Sequence, residues 1–465
     1  MRVNGVGMVL GDKAAPLTAR KQRLYSAEET DSITRLEIHL HITPPFESHA
    51  ELTKLLQFCD NPLSTVYQAV VLNRGRHQGG VGLKTTRCTC DLNKSMKKGA
   101  QVMKNKILNT VLGVGLLISL ATSAFSADGA SSPIIPPSGP PILSVSTDSG
   151  NGDGNPYGVA FVPAGFPPGG PLRAGDVLVS NFNSSSGLQG TGTTIVQIKQ
   201  SGGPASLFFG GTPPLGLTTA LGVLKAGFVF VGSLPTTDGT CMTIGQTSLL
   251  IIDRKGKLVK TLTDNTLLDG PWDLTVNDVG NRAQVFVSNV LNGTVTRINL
   301  KTTHSGKIAI ESMTRIASGY GFACNSAAVV VGPTGLAYDR SKDILYVAST
   351  SDNEIFAVPG AGHADSDQGP GSLIYQDNEH LHGPLGLALA PNGDLITANG
   401  DAINPPDPSH NSEIVEFTPE GQFVSQFQID PVAGSAFGLA VERRLGKILF
   451  AAVDDNISFL DEWSE

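Results

Sequence analysis

The chain has 465 residues, of which 54 are glycine, 29 are proline and only 16% are charged. This composition favours many short strands joined by turns and argues against a mainly helical protein. Residues 1–127 carry 16 Lys and Arg against 9 Asp and Glu. That leaves 17 of the 33 basic and 32 of the 41 acidic residues to residues 128–465, a net charge of −15. Such an acidic domain repels phosphate groups, which excludes nucleic acid and anionic membrane surfaces as favoured partners.

Residues 1–95 show no sustained hydrophobic period, a mixed charge pattern and scattered His and Cys. We interpret them as a segment upstream of the native start, with translation beginning at Met96 or Met103, or as a disordered segment. The alternatives are a cytoplasmic segment that precedes a signal anchor, and a small domain of its own.

A secretory signal peptide is predicted at residues 96–127. Residues 103–106 are basic, residues 107–120 form an apolar run without a charge, and residues 121–127 are mostly small. This order is that of a signal peptide, and the apolar run is short for a membrane span. We therefore expect cleavage between about Ala124 and Ala127, a periplasmic or secreted protein, and no stable membrane span in the mature chain.

Two cysteines, Cys241 and Cys324, remain in the mature part, and neither lies in a zinc-binding pattern. In an oxidising compartment they could form a disulfide, but the sequence does not show whether they are close, so the pairing stays open. A Pro- and Ser-rich stretch at 128–140 is predicted to be a linker between the signal peptide and the fold.

Six copies of one short pattern, Pro-x-Gly-apolar-x-apolar, run through residues 141–465. Three copies fit it closely and three loosely, and they start at Pro156, Ala220, Pro271, Pro333, Pro384 and Ala436. Each copy is followed by a second apolar run, a third strand and, in five units, a fourth. The sixth unit lacks its fourth strand, and the unclaimed strand at 142–146 is the predicted replacement. The sequence thus predicts an all-β, six-bladed β-propeller of four-stranded antiparallel blades, closed by an N-terminal strand that completes the last blade.

The Pro-x-Gly-apolar-Ala opening, with a later apolar-Tyr/Phe-Val-Ala/Ser strand, resembles the NHL-repeat propellers over residues 141–465. NHL strands usually end in Asp, whereas Asn181, Asn289 and Asn399 stand here. Gluconolactonase-type (regucalcin-like) and streptogramin B lyase-like propellers are similar at this level. The resemblance implies the fold, and its relatives suggest two functions. NHL-type propellers often serve as interaction platforms, and lactonase relatives use a divalent cation that polarises the ester and positions water.

In such blades, the turns from strand one to two and from three to four share one face, and the other loops share the opposite face. The first set is short, as at 392–394, so we expect tight hairpin turns with little room for a pocket. A predicted wide excursion at 299–311 is the exception. The opposite face has long loops, including 181–193, 232–246 and 399–412, and we expect the binding site there.

A ring of polar side chains is expected around the mouth of the central channel on the long-loop face, because each follows the second strand of a blade. The candidate ligand-binding residues are Asn181, Asn289, Asp352, Asn399, Asp401 and Asp454. Of these, Asn181, Asn289, Asn399 and Asp454 could hold Ca²⁺ or Mg²⁺ through oxygen. The alternative is that Asn and Asp at strand ends cap loops and form Asx turns.

Two histidines and one tryptophan stand out beside this ring. His380 and His382 lie two residues apart in a segment predicted to be extended, so both could point the same way as metal ligands or in proton transfer. A histidine pair that only forms hydrogen bonds is the alternative. Trp272 follows the repeat's proline and is expected to pack between blades, or to form an aromatic floor to the channel.

These patterns predict an exported, monomeric propeller that acts as a binding or scaffold module. It would recognise a small molecule, a glycan or a partner protein on its long-loop face. The sequence contains no nucleophile elbow, no Gly-rich phosphate loop and no zinc-protease helix. The alternative is a metal-dependent hydrolase or lyase of the lactonase or streptogramin-lyase type, using the Asn/Asp ring or the two histidines.

Overall fold

The structure, a computed structural model, describes residues 132–303 and 306–465 in full and the backbone of five strands nearer the N-terminus. The chain divides into two units, Met1–Ala127 and Asp128–Glu465. In the first unit, strands β1 to β5 span Val6–Gly7, Arg20–Lys21, Glu37–His41, Gln68–His77 and Gly80–Thr89. They form one sheet in the order β2-β1-β3-β4-β5. The predicted signal peptide lies outside the described residues, and the interpretation of residues 1–95 as non-native stays a prediction.

Six four-stranded antiparallel sheets form the blades of a β-propeller in the second unit, as the sequence predicts. Strand β6, Leu143–Ser146, comes first. Blades one to three contain β7–β10 (Gly154–Phe161, Val177–Asn183, Thr194–Ile198, Ser206–Gly210), β11–β14 (Leu217–Leu224, Phe228–Ser233, Ser248–Asp253, Leu258–Leu262) and β15–β18 (Pro271–Asp278, Arg282–Asn289, Thr294–Thr302, Ile308–Ser318). A hairpin of β19 (Ala323–Asn325) and β20 (Val329–Val331) follows.

The remaining blades follow this hairpin. Blades four to six contain β21–β24 (Pro333–Asp339, Ile344–Ser349, Glu354–Pro359, Ser372–Tyr375), β25–β28 (Pro384–Leu389, Leu395–Asn399, Glu413–Phe417, Phe423–Gln428) and β29–β31 (Ala436–Arg444, Lys447–Asp454, Phe459–Ser464) with β6. Within residues 132–303 and 306–465, a 3-10 turn at Cys241–Thr243 is the one helical element. No helix of the described chain is long and apolar enough to cross a membrane.

The first strand of each blade lies innermost, and these strands contact one another in a closed ring, β7-β11-β15-β21-β25-β29. The repeat's glycine permits this close approach. A Cβ added to Gly438 would lie 1.8 Å from Tyr157 O of the next blade, and one added to Gly335 would lie 2.5 Å from Leu385 O. In these two blades the backbone of the neighbouring inner strand leaves no room for a side chain at this position.

The outermost strand of the sixth blade is β6, from the beginning of the fold. It pairs antiparallel with β31, and Val145 lies opposite Leu460. Just beyond the strand, Thr147 N–H donates to Ser458 O at 2.8 Å. The sheet of the sixth blade thus contains strands from both ends of the domain.

Residues 132–138, within the predicted linker at 128–140, pack on the propeller. Ile134 and Ile135 are buried among side chains of blades five and six. Their N–H groups donate to Glu416 Oε2 at 2.7 and 2.9 Å. The physical reason is that burial of two adjacent isoleucines is favourable once a buried carboxylate satisfies their backbone donors.

In the second blade, the repeat begins two residues earlier in the chain than the sequence pattern predicts. Leu221 lies opposite Val231, as Leu274 lies opposite Val287 in the third blade. The residue before Leu221, an alanine, therefore takes the place of the repeat's glycine, and Gly222 does not. A shift of two preserves the alternation of side chains along a strand, so the pattern alone cannot detect it.

The predicted excursion at 299–311 is a long hairpin. Strands β17 and β18 pair as far as Thr302 opposite Ile308. Leu300 is buried at 1% exposure, which continues the alternation of the strand beyond the predicted end. Most of the predicted excursion is therefore paired strand.

Candidate functional site

Aromatic side chains close the central channel near its long-loop end. Tyr157, Trp272 and Phe437, which we call the aromatic plug, precede the repeat's third position in blades one, three and six. The ring centroids of Tyr157 and Trp272 lie 5.8 Å apart, and those of Tyr157 and Phe437 lie 4.6 Å apart. Blades one and three are not neighbours, so Tyr157 and Trp272 meet across the axis. Trp272 thus forms an aromatic floor to the channel, the second of its two expected positions.

The hairpin of β19 and β20 lies over the aromatic plug. Val329 is buried in the same apolar cluster as the plug, and its φ of +60° is strained for a β-branched residue. The disulfide between Cys241 and Cys324 ties the hairpin to blade two, with the two Cα atoms 5.6 Å apart. On the other side, Asn325 Nδ2 donates to Ala402 O of blade five at 3.3 Å. Blades two and five are opposite in the ring, so the hairpin spans the axial opening.

The asparagines of the predicted ring form hydrogen bonds with the segment that leads into their own blade. Each donates a side-chain N–H to a backbone carbonyl there: Asn181 to Thr147 (3.0 Å), Asn289 to Leu267 (3.2 Å) and Asn399 to His380 (2.7 Å). The side-chain oxygens of Asn181 and Asn289 are buried without a hydrogen-bond partner. In contrast, Asn399 Oδ1 accepts His382 N–H at 3.0 Å. These bonds fit the alternative interpretation, in which strand-end asparagines cap loops.

The exposed and half-buried carboxylates of the predicted ring also hold loops. Asp352 Oδ2 accepts Gly321 N–H at 2.8 Å, which fixes the segment that leads into the hairpin. Asp401 Oδ2 accepts the N–H groups of Ser412 and Gly434, both at 2.8 Å, and burial raises the pKa of Asp401. The predicted ring is thus a set of loop anchors, and its role in ligand binding stays a prediction.

Asp454 takes, in the sixth blade, the place that asparagine has in blades one, three and five. It is 4% exposed, and its Oδ1 has no hydrogen-bond partner. Burial, and next the charge of Asp430, raise the pKa of Asp454 to about 6. Burial, and next the charge of Asp454, raise the pKa of Asp455 to about 7. A carboxylate cannot donate a hydrogen bond, so ionised Asp454 cannot make the bond that asparagine makes here.

We expect Asp454→Asn to stabilise the protein at neutral pH. Asp454 and Asp455 keep protons in the folded state that the unfolded chain loses near its ordinary pKa of 3.8, so stability falls as the pH rises from there to about 7. The substitution should raise the free energy of unfolding by about 1–2 kcal/mol above that window and flatten the fall. Urea unfolding across the acid-to-neutral range measures both effects.

Asn289→Asp is the matched control, because it places a carboxylate at the equivalent position of the third blade. It should lower stability at neutral pH and add a new decline with rising pH. If Asp454→Asn left the pH profile of stability unchanged, the raised pKa would not belong to this carboxyl group.

The segment around His380 and His382 is a turn, where the sequence predicts extended chain. His380 N–H donates to Asp377 O, and His380 Nδ1 lies 2.5 Å from Asp377 Oδ2. Both ring nitrogens of His382 face backbone carbonyls instead, Asn404 O at 2.6 Å and Glu379 O at 3.2 Å. The turn therefore gives the two imidazole rings separate protein partners, which fits the alternative of hydrogen-bonding histidines.

The long-loop face carries fixed charge of one sign. Neither the loops between second and third strands nor the connections between blades contain Lys or Arg. Their carboxylates are Asp148, Asp153, Asp238, Asp264, Asp269, Asp352, Asp377, Glu379, Asp401, Asp407, Asp430 and Asp455. The Lys and Arg residues of the propeller lie in strands or in the turns of the opposite face. The long-loop face therefore presents a negative field, which favours cationic partners.

Large apolar side chains are exposed beside the disulfide on this face. Leu188, Met242 and Phe322, which we call the hairpin surface, are 41%, 87% and 52% exposed. Met242 directly follows Cys241, and Phe322 lies two residues before Cys324. Leu188 precedes Gln189, whose side chain donates to a hairpin carbonyl at 2.9 Å. A cavity of about 410 Å³, lined in part by Asp269, opens beside the disulfide. Exposed apolar side chains grouped on a rigid support mark interaction sites.

An axial cavity of about 450 Å³ lies beyond the aromatic plug, toward the short-turn face. Equivalent side chains of the six inner strands form an aliphatic collar around it: Val159, Leu221, Leu274, Leu336, Leu387 and Leu439. The prediction that this face leaves little room for a pocket is therefore wrong. The space comes from the gap between the inner strands, whereas the prediction considered only the length of the turns.

Asp273 lines this cavity and is not among the predicted site residues. It takes the place of the repeat's glycine in the third blade and is 9% exposed. Its Oδ1 accepts Leu274 N–H at 2.6 Å, and burial raises the pKa of Asp273 well above its ordinary value. The signal was present in the sequence, because this is the one repeat copy with a charged residue at that position.

No family model and no curated protein matches this sequence. Solved structures with a similar fold include a calcium-binding protein, regucalcin, from Agrobacterium tumefaciens str. C58, at 12% identity and a TM-score of 0.41, covering 68% of this chain and 92% of that one. A gluconolactonase from Xanthomonas campestris has 12% identity and a TM-score of 0.41, covering 71% and 99%. An α-L-arabinofuranosidase from Fusarium graminearum has 11% identity and a TM-score of 0.44, covering 70% and 98%. At these identities the similarity concerns the fold alone and says nothing of the activity of this chain.

Proposed function

We propose that this protein is an exported binding module whose long-loop face recognises a partner protein through a basic segment with apolar side chains. One observation carries the proposal: the exposed hairpin surface is surrounded by loops that contain carboxylates and no Lys or Arg. Buried apolar anchors supply most of the affinity in such interfaces. Complementary charge orients the partner and accelerates the encounter.

The support beneath the hairpin surface favours this function. The disulfide and the bonds to blades one and five hold the hairpin from several sides. A preorganised surface loses little conformational entropy when a partner binds. The aromatic plug and the hairpin also cover the axial opening, so the face offers a platform. A platform suits a protein partner better than a small molecule or a glycan held on the axis.

Export to the periplasm or the medium is part of the proposal. It rests on the predicted signal peptide and is supported by the Cys241–Cys324 disulfide, since disulfides persist in oxidising compartments. Sequencing the N-terminus of the protein recovered from a secreting host tests it. We expect the first residue to fall directly after the predicted cleavage region at 124–127, and a start within residues 1–95 would contradict export by this route.

Site-specific photo-crosslinking tests the proposed face. A photoreactive residue at Met242 should give at least fivefold more partner adduct than one at Leu445, an equally exposed position on the opposite face (87% and 97%). The adduct should fall at high salt and in Phe322→Ser, because both charge and apolar contact are removed. Sequencing the crosslinked peptide should identify a basic segment with apolar residues. Equal adducts from both positions, or an acidic partner segment, would exclude the proposed recognition.

A metal-dependent hydrolase or lyase is the second candidate function. The unpartnered side-chain oxygens of Asn181, Asn289 and Asp454, at equivalent positions of three blades, favour it because Ca²⁺ and Mg²⁺ take such donors. The apolar plug and hairpin that fill the axial opening disfavour it, since they replace the water that a hydrated cation needs. Among the described residues, no group of three or more His, Cys, Asp or Glu side chains is arranged to hold a metal ion.

Elemental analysis of the protein purified from an exporting host without chelators separates the two functions. About one Ca or Mg per chain, lost in Asn289→Ala and in Asp454→Ala, would favour the hydrolase or lyase. A metal-free protein whose thermal unfolding does not respond to either ion would favour the binding module.

A further inference from the structure

We propose that the axial cavity binds a small organic ammonium ion with an aliphatic body, and that the Asp273 carboxylate binds the cationic head. The cavity opens toward the short-turn face, so this site is independent of the hairpin surface. Three features carry the inference: the replacement of glycine by Asp273, the charges of the lining, and the aliphatic collar.

The position of Asp273 has glycine in four other blades and alanine in one. Blades one, four, five and six have Gly158, Gly335, Gly386 and Gly438 there, and blade two has an alanine. A carboxylate at this site loses hydration, which is unfavourable. The other five blades form without a carboxyl group here, so the fold itself does not require one. The N–H groups of Leu274 and Leu336 offset part of the effect of burial on its pKa. Two backbone donors leave acceptor capacity on a carboxylate that can take about four hydrogen bonds.

The other ionisable side chains of the lining do not supply a positive charge. They are Tyr338, whose O–H donates to Asp343 Oδ1 at 2.8 Å, and Glu442, which pairs with Arg444. The lining contains no Lys, Arg or His. A ligand that enters the cavity therefore meets one carboxyl group without a neighbouring cation, and this group can ionise favourably only when the ligand itself brings a positive charge.

The shape and apolar surface of the cavity define the rest of the ligand. The volume of about 450 Å³ lies within the range of roughly 300–1,000 Å³ that is common for small-molecule pockets. The aliphatic collar offers apolar contact, and the free edges of the inner strands offer backbone carbonyl groups. An ammonium head has three N–H donors, so it can bond the carboxylate and edge carbonyls together, while an aliphatic body fills the collar.

Binding should be coupled to proton release. Burial raises the pKa of Asp273, so the empty cavity favours its protonated form. The ammonium head favours the ionised carboxylate, so the carboxyl proton passes to solvent when the ion pair forms and the net charge of the cavity stays constant. The apparent affinity should therefore rise with pH while the ligand stays protonated. Tyr338 and Glu442 are the other titratable groups facing this space, and their own partners hold them.

Isothermal titration calorimetry of the purified protein with three matched probes tests the site. Cyclohexylmethylammonium is expected to bind, cyclohexylmethanol at least tenfold more weakly, and cyclohexylacetate not at all. Titrations in two buffers of different ionisation enthalpy should show release of up to one proton for the ammonium probe. Equal affinities for the ammonium and the alcohol, or no heat from the ammonium probe at millimolar concentration, would overturn the proposal.

Two substitutions at Asp273 separate its role from that of the fold. Asp273→Gly introduces the residue of four other blades, and Asp273→Asn keeps the shape of the side chain. Both should weaken the ammonium probe at least tenfold, abolish proton release and leave the weak binding of the alcohol unchanged. Asp401→Asn, at a half-buried carboxyl on the long-loop face, is the control and should change none of these values. Unaltered ammonium affinity in Asp273→Gly would place the ligand elsewhere, and crosslinking at the hairpin surface reports separately on the proposed partner.

Discussion

Deletion of residues 141–147 is expected to lower the midpoint of thermal unfolding by at least about 10 °C, or to abolish cooperative unfolding. The deletion removes β6 and leaves the whole outer edge of β31 without a partner. The core cluster that contains the aromatic plug also loses its contacts with Leu143 and Val145, because both residues are deleted. Because the two ends of the domain pair in this blade, we expect the loss to act on the closure of the ring and not on one blade alone.

A peptide complementation experiment distinguishes this closure from a general effect of truncation. A synthetic peptide of residues 132–147, added to the deleted protein, should restore most of the thermal midpoint by adding a strand to β31. The same peptide with Leu143→Asp and Val145→Asp should not, because both half-buried side chains face the core. Unfolding is followed by circular dichroism. An unchanged midpoint after the deletion would show that β6 does not hold the ring closed.

Trp272→Ala should lower the free energy of unfolding by about 3–5 kcal/mol, the second large effect. The Trp272 side chain is completely buried and packs against Phe182 and Tyr157, with ring centroids 5.6 and 5.8 Å away. Its removal leaves a void on the axis that neighbouring blades cannot fill, since the inner strands are held by the ring. Trp272→Phe keeps part of the ring contact and should lose about half as much.

Urea unfolding measures these differences, with Phe322→Ser as the control. Phe322 is exposed on the same end of the propeller, so its substitution should change the free energy of unfolding by less than about 0.5 kcal/mol. The same variant is expected to reduce partner binding, which separates the stability of the plug from recognition by the hairpin surface. A loss below about 1 kcal/mol in Trp272→Ala would mean that the axial packing tolerates a void.

The aromatic plug separates the two proposed binding regions, which differ in chemistry. On one side, the hairpin surface lies in a field of carboxylates and suits a basic protein segment. On the other, the axial cavity presents a single carboxyl group within an aliphatic collar and suits a small ammonium ion. Both proposals use negative charge, but the first uses exposed loops and the second a buried site. Salt should therefore weaken partner binding strongly and ligand binding in the cavity little.

The sequence by itself determined the β-propeller and its number of blades. Strand alternation, turn residues and the Pro-x-Gly pattern are local signals, and each operates within about ten residues. The same local signals placed asparagine at the ends of second strands, where the structure has it. They failed at Ala220, because a shift of two residues leaves strand alternation unchanged, and they did not indicate that Ile134 and Ile135 pack on the propeller.

Only the tertiary structure decided what meets at the axis. Whether Trp272 packs between blades or meets Tyr157 depends on the closure of a ring, which places residues of non-adjacent blades opposite each other. The same closure brings Cys241 to Cys324 and lays the hairpin across the channel mouth. It also leaves Asp273 facing an axial cavity that no single blade contains. Contacts across a closed ring depend on how each blade packs against the next around the whole ring, and a local sequence pattern does not specify that geometry.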